Sequence, residues 1–365
     1  MTQVSDFDFT LPEELVAQTA LARGESRLLM QCRETGVVTH AGVRDLPRFL
    51  RAGDVLVAND TRVFPARLLG HRVPSGGAVE CLLLAKDEPD AVLQSSALGL
   101  LSSTEGQVWS ALMHPGQKLK PGASVRFEHE AGTLMAEVLE RQFFGRRRVR
   151  LWSESGGDID ALIDAMGHVP LPPYIHRDDT PGDRERYQTV FASARGSIAA
   201  PTAGLHFDKQ MLQAIDAAGV QRVTVTLHVG YGTFKPVRVA EVEAHIVDPE
   251  PYEISVHAAA AINGALDARR RVVAIGTTTT RALEDAARRG GGRVRAGRAE
   301  AELFIYPGVE FQVISGLMTN FHLPKSSLLM LVAAFGGRAR VLAAYEEAVA
   351  ERYRFYSYGD AMLIG

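Results

Sequence analysis

Cysteine is almost missing from this sequence: only Cys32 and Cys81 occur, so neither a disulfide framework nor a thiolate metal cage can be built. Long apolar runs are missing too. The longest, Leu328 to Phe335, is far short of the ~20 residues that span a bilayer. The opening stretch Met1-Thr-Gln-Val-Ser-Asp6 carries an acid where a secretory leader carries bases, and no apolar core follows. A cytoplasmic protein with no membrane association is therefore expected. No excess of positive charge exists: 40 basic against 43 acidic residues leave a net charge of -3, which excludes a uniformly basic nucleic-acid coat. Common enzyme signatures are absent as well. There is no Gly-x-x-x-x-Gly-Lys-Ser/Thr phosphate loop, no Gly-x-Ser-x-Gly elbow and no His-Glu-x-x-His zinc helix. No metal site is expected.

What is present is an ordinary folded composition, 46% hydrophobic and 23% charged over 365 residues, enough for about two domains. Between Pro65 and Trp152, short β-branched segments alternate with turns such as Gly76-Gly77 and Lys120-Pro-Gly122, and no helix interrupts them. This reads as a small antiparallel barrel or sandwich. After Ser153 the pattern alternates strands and helices. Asp208 caps a helix that Gly219 closes, Arg271–Gly276 is a buried strand, Thr278–Arg289 a helix, and Leu303–Tyr306 a strand. The expected class is α/β. A larger α/β domain with a barrel-like sheet (1–64 and 153–365) carries an inserted small all-β, barrel-like domain (65–152).

Chemistry concentrates in polar loops at strand ends. Pro201-Thr-Ala-Gly-Leu-His-Phe207, Leu227-His-Val-Gly-Tyr-Gly-Thr-Phe234 and Thr319-Asn-Phe-His-Leu-Pro324 each set a histidine beside glycine, threonine or asparagine. Lone histidines are commonly core or capping residues. Three in such loops point to a shared polar cavity able to move protons. Gly276-Thr-Thr-Thr-Thr-Arg281 opens a helix, where amides and hydroxyls suit a carboxylate or phosphate, or form an ordinary cap. Asn59-Asp-Thr-Arg62 ends a strand, and Arg62 can pair with a carboxylate. The aromatic tail Tyr353–Met362 can stack a base or dock into the core. Two arginine runs, 141–150 and 288–298, can track phosphates or be solvated surface.

These loops, together with Gly167-His-Val-Pro-Leu-Pro-Pro-Tyr174 and Ile305-Tyr-Pro-Gly308, stand in the order found in one family. The chain resembles the S-adenosylmethionine:tRNA ribosyltransferase-isomerases of queuosine biosynthesis. It departs from the family pattern in having Thr279-Thr280 for Ser-Val and in lacking a proline after Gln18. The resemblance implies transfer and isomerisation of the ribosyl part of S-adenosylmethionine onto 7-aminomethyl-7-deazaguanine at the tRNA wobble position. Adenine and methionine leave, S-adenosylmethionine is consumed as a co-substrate, and no further cofactor or metal is called for. Under this reading His206, His228, His322 and Asp360 are the catalytic candidates. Asn59, Thr61, Arg62, Thr202, Gly204, Gly230, Gly232, Thr277, Thr278, Arg281, Asn320, Tyr356 and Tyr358 are candidates for binding substrate. Arg146, Arg148, Arg293 and Arg295 are candidates for gripping tRNA, and a monomer is expected. The rival readings are an S-adenosylmethionine-dependent RNA methyltransferase, which lacks its glycine-rich Rossmann loop here, and a noncatalytic RNA-binding protein.

Overall fold

Val55-Leu-Val-Ala-Asn59 is buried at every position, the pattern of a strand covered on both faces. It is one of several such strands in a computed structural model that describes residues 1–87, 106–234 and 236–365. In chain order the strands are β1 (Arg27–Gln31), β2 (Val38–Gly42), β3 (Val55–Asn59), β4 (Thr61–Val63), β5 (Arg67–Val73), β6 (Ala78–Lys86), β7 (Gln107–His114), β8 (Ser124–His129), β9 (Gly132–Arg141), β10 (Arg146–Ser153), β11 (Ala194–Ser197), β12 (Gln221–Leu227), β13 (Glu250–Ile254), β14 (Val272–Ile275), β15 (Gly297–Ala301), β16 (Gly316–Asn320) and β17 (Ala361–Ile364).

Two compact units result. The first comprises Met1–Arg62, Pro172–Asp178 and Glu185–Gly365; the second comprises Val63–Leu171 and Asp179–Arg184. The second unit runs past the expected 65–152 because the helix Ile159–Met166 packs on β8, β9 and β10. Its buried Leu162 and Ile163 supply the apolar side, and Asp158 caps it by accepting the Asp160 amide.

The first unit is built on a nine-stranded mixed sheet ordered β15-β13-β12-β3-β14-β16-β17-β1-β2. Strands β12, β3, β14 and β16 are mutually parallel neighbours. Alternate residues point to opposite faces. Val55 and Val57 join a core with the helices Val256–Asp267, Thr277–Arg289 and Ser327–Gly336, whereas Leu56 and Ala58 join a second core with Lys209–Ala217. Helices thus cover both faces. Asp208 caps the last of these helices by accepting the Met211 amide, as its position requires. The strand expected at Leu303–Tyr306 is not formed. The pairing is made instead by the polar β15, whose Gly297–Ala301 register runs antiparallel to β13.

The second unit closes into a six-stranded antiparallel barrel ordered β10-β7-β6-β5-β8-β9. In β10, Arg147, Val149 and Leu151 face inward while Arg146, Arg148 and Arg150 face outward. Arg147 is only 2% exposed. Its guanidinium donates to the carbonyls of Leu119, Gly145 and Gly116, at 3.1, 2.7 and 2.6 Å. A buried cation is tolerated because these acceptors replace its water. Arg147→Met keeps an apolar stem but orphans those carbonyls. A stability loss of roughly 2–4 kcal/mol is expected in urea unfolding; an unchanged midpoint would show that water satisfies the loops equally well.

Candidate active site

Because β12, β3, β14 and β16 run the same way, their carboxyl ends lie side by side, where open α/β sheets hold ligands. Asn59 closes β3. It is 2% exposed, and its Oδ1 accepts the amides of Thr61 and Leu227 at 3.0 and 3.1 Å. Its Nδ2 donates to the Leu227 carbonyl at 2.9 Å and reaches Thr278 Oγ1 at 3.4 Å. One side chain thus ties the end of β12 to the helix that follows β14.

That helix, Thr277–Arg289, starts from Gly276 at φ +90° with no side chain capping it. A β-carbon is disfavoured at this φ. The first-turn amides have no partner within the helix. Thr279 and Thr280 turn their hydroxyls back onto the carbonyls of Ile275 and Gly276. Thr277 and Thr278 instead line a cleft of about 590 Å³, together with Thr202, Asn320, His322 and Tyr356. Tyr174, Tyr187 and Ser357 line it too; the sequence reading did not select them, although Tyr174 ends a motif it quoted. The Tyr174 hydroxyl bonds Ser357 Oγ, and burial pushes the phenols of Tyr174, Tyr187 and Tyr356 up. Tyr356 adopts φ +74°, a strained state for a tyrosine. It is held there by its amide on the Phe321 carbonyl and by Asn320 Nδ2 on its own carbonyl. Asn320 Oδ1 is buried, and the Asn320 side chain interacts with the imidazole of His206.

The three histidines separate. His322 lines the cleft, bonds Thr319 Oγ1 at 2.8 Å, and is pushed down to about 3 by burial. His206 lies outside the lining. Its Nδ1 meets Ser26 Oγ at 3.0 Å, and burial, helped by the Arg186 cation and opposed by a hydrogen bond with Asn320, also pushes it down to about 3. His228 is half-buried beside the cleft, bonded through Nδ1 to Thr61 Oγ1 at 2.8 Å. Burial lowers its pKa, with Asp60 and Glu253 opposing.

Other candidates fall elsewhere. Asp360 is fully buried and does not line the cleft. Its two oxygens accept the amides of Arg27 and Arg354, each at 2.8 Å, so it fastens the chain rather than facing a ligand. Tyr358 is buried edge-on to Tyr187. Arg281 lines a second cavity of about 520 Å³ with Gly232. There it is paired with Glu250 and bonded to the carbonyls of Leu303 and Ala301, so it does not join Thr277 and Thr278. Gly230 donates its amide to Glu250 as well. Gly204 has no room for a β-carbon, which would stand 2.8 Å from Thr189. Arg62 is exposed. Arg148 pairs with Asp87 at 2.7 Å and Arg293 with Asp267 at 2.7 Å; Arg295 is exposed and Arg146 partly so. Among the described residues no group of three or more His, Cys, Asp or Glu could hold a metal ion, and no single helix is long and apolar enough to cross a membrane.

A polar cleft at the carboxyl ends of parallel strands, in a chain that also carries a closed barrel, is the arrangement of an α/β enzyme. The profile of a family described as "Queuosine biosynthesis protein" matches residues 4–364. The chain is 50% identical to the S-adenosylmethionine:tRNA ribosyltransferase-isomerase of Solibacter usitatus, covering 99% of each chain. It is 47% identical to that of Heliobacterium modesticaldum, again over 99% of each. A crystal structure of S-adenosylmethionine tRNA ribosyltransferase from Thermotoga maritima matches with a TM-score of 0.53 at 33% identity, covering 99% of this chain and 100% of the other. The chain belongs to the S-adenosylmethionine:tRNA ribosyltransferase-isomerase family.

The buried histidines carry a pH consequence. An unfolded histidine takes up its proton near 6.5, whereas His206 and His322 resist it down to about 3. Between those values the unfolded chain binds more protons, so stability falls as pH drops, by at most ~1.4 kcal/mol per pH unit for each. Urea unfolding between pH 7 and 4 is expected to show this fall, and a shallower one in His206→Gln. Parallel slopes would mean the imidazole titrates normally.

Proposed function

We propose that this chain transfers the ribosyl moiety of S-adenosylmethionine to the aminomethyl group of 7-aminomethyl-7-deazaguanine at the wobble position of tRNA and isomerises it. Epoxyqueuosine-tRNA, adenine and methionine are the products. The observation that carries the reading is the convergence of separate motif loops on one cleft. Pro201 to Ala203, Val229, Gly276 to Thr278, Thr319, Asn320, His322, Tyr356 and Ser357 all line it.

Each part of the reaction has a matching group. The Thr277 and Thr278 amides and hydroxyls suit the methionine carboxylate. The rings of Tyr174 and Tyr356, stacked edge to face, suit a flat heterocycle. The sulfonium acidifies the C5′ hydrogens, and His322, which lines the cleft beside Thr319, is the candidate to take a proton. The substrate's own amine is the nucleophile, so no enzyme nucleophile and no metal are called for.

Two measurements test this. With S-adenosylmethionine labelled separately in ribose and methyl, and tRNA carrying the aminomethyl base, the ribose label is expected in tRNA and the methyl label in methionine. Methyl label on tRNA would overturn the reading in favour of methylation. His322→Ala is expected to lower kcat by about 10²–10⁴-fold while S-adenosylmethionine still binds. A near-normal rate would remove the proton-transfer role.

A further inference from the structure

One end of the barrel is built from the turns 73–78, 114–124 and 141–146. The registers fix this: His71 pairs Ala78, Val73 pairs Ser124, Ser124 pairs Glu137, Glu80 pairs His114, and Arg147 pairs both Ala111 and Arg141. The buried Arg147 draws two of these turns together, because it donates to Gly116, Leu119 and Gly145 at once. None of the three segments contains an aspartate or glutamate, whereas Lys118, Lys120, Arg141 and Arg146 all lie in them. Lys118, Lys120 and Arg141 are exposed. The neighbouring acids are Glu140, which is exposed, Glu137, whose carboxylate takes Arg150 at 2.8 Å, and Glu80, whose carboxylate takes Arg67 at 3.0 Å. At the tip of the third turn Phe143 is 87% exposed. Nothing apolar is gained by such exposure in a free protein. An exposed ring among basic side chains is the arrangement that binds single-stranded nucleic acid, with bases stacked on the ring and phosphates on the cations.

We propose that this barrel end is an RNA-binding surface, with Phe143 stacking an unpaired base and Lys118, Lys120 and Arg141 contacting the adjacent phosphates. The surface rests on the tRNA reading above and names a part of the molecule remote in sequence from the cleft loops. Of the arginines expected from charge runs it keeps Arg146, which lies in the third turn, whereas Arg148 and Arg293 are engaged by Asp87 and Asp267.

The test uses the full chain and tRNA carrying the aminomethyl base. tRNA affinity is measured by fluorescence anisotropy from 50 to 300 mM salt, and ribosyl transfer is measured in parallel. Phe143→Ala is expected to weaken tRNA binding about tenfold, the loss of one stacked base. Lys118→Gln/Lys120→Gln is expected to flatten the slope of log affinity against log salt by about 1.5, two phosphate contacts. Both should raise KM for tRNA while leaving kcat and KM for S-adenosylmethionine unchanged. These side chains are exposed, so thermal melts should match the parent. Arg293→Gln, on the other unit, should change neither affinity nor slope. Unchanged affinity and slope in the barrel variants, with ribosyl transfer intact, would overturn the surface alone. A flattened slope with no effect of Phe143→Ala would also overturn it, as a diffuse field without a stacking site. A parent chain that neither binds tRNA nor transfers ribose would instead overturn the functional reading itself.

Discussion

The cleft depends on one amide side chain that has no water to turn to. Asn59 spends its acceptor on two amides and its donors on a carbonyl and a hydroxyl. In doing so it sets where β12 ends and where the Thr277–Arg289 helix begins. A buried amide needs such full satisfaction, and few residues can supply both donors and acceptors in one plane. Aspartate would lose the donors, and leucine would orphan the Leu227 amide and carbonyl. The threonine hydroxyls and the free amides of the helix are thus held in place from beneath.

Electrostatically the site is quiet. His322 and His206 are uncharged at neutral pH because burial costs an imidazolium its hydration. Arg281, which lines the second cavity, is neutralised by Glu250. A sulfonium substrate entering such a cleft meets hydroxyls, amides and phenols rather than a competing positive charge. Neutral polar groups fixed by packing need no reorganisation as charge shifts in the substrate.

Much of this was legible in the sequence, and the failures share a cause. The cap at Asp208, the buried strand within Arg271–Gly276 and the run of strands between Pro65 and Trp152 are local patterns, and each appears where the sequence placed it. β15 escaped notice because Gly297-Arg-Ala-Glu-Ala301 is an edge strand with little apolar character. Asp360 looked catalytic because nothing near it in sequence says that the amide of Arg27 takes its carboxylate. Arg281 misled for the same reason, its partner Glu250 lying 31 residues upstream. Residue type announced polarity in each loop. Only the fold decided whether that polarity faced a ligand or another part of the chain.

The order of strands also separates the two units in time. In the barrel, β5 pairs β6, β6 pairs β7, β8 pairs β9 and β9 pairs β10, so most of its ladders join neighbours in sequence. The large sheet is assembled otherwise: β1 takes β17 as its parallel partner, Leu28 against Ala361, across a separation like the 333 residues between Arg27 and Asp360. Closing so long a loop costs more entropy and takes longer than closing a hairpin. During synthesis the barrel's ladders can form as its strands emerge, while β1 and β2 wait as an unflanked hairpin with an open edge. That edge is the surface a nascent chain must keep from pairing wrongly until β17 arrives.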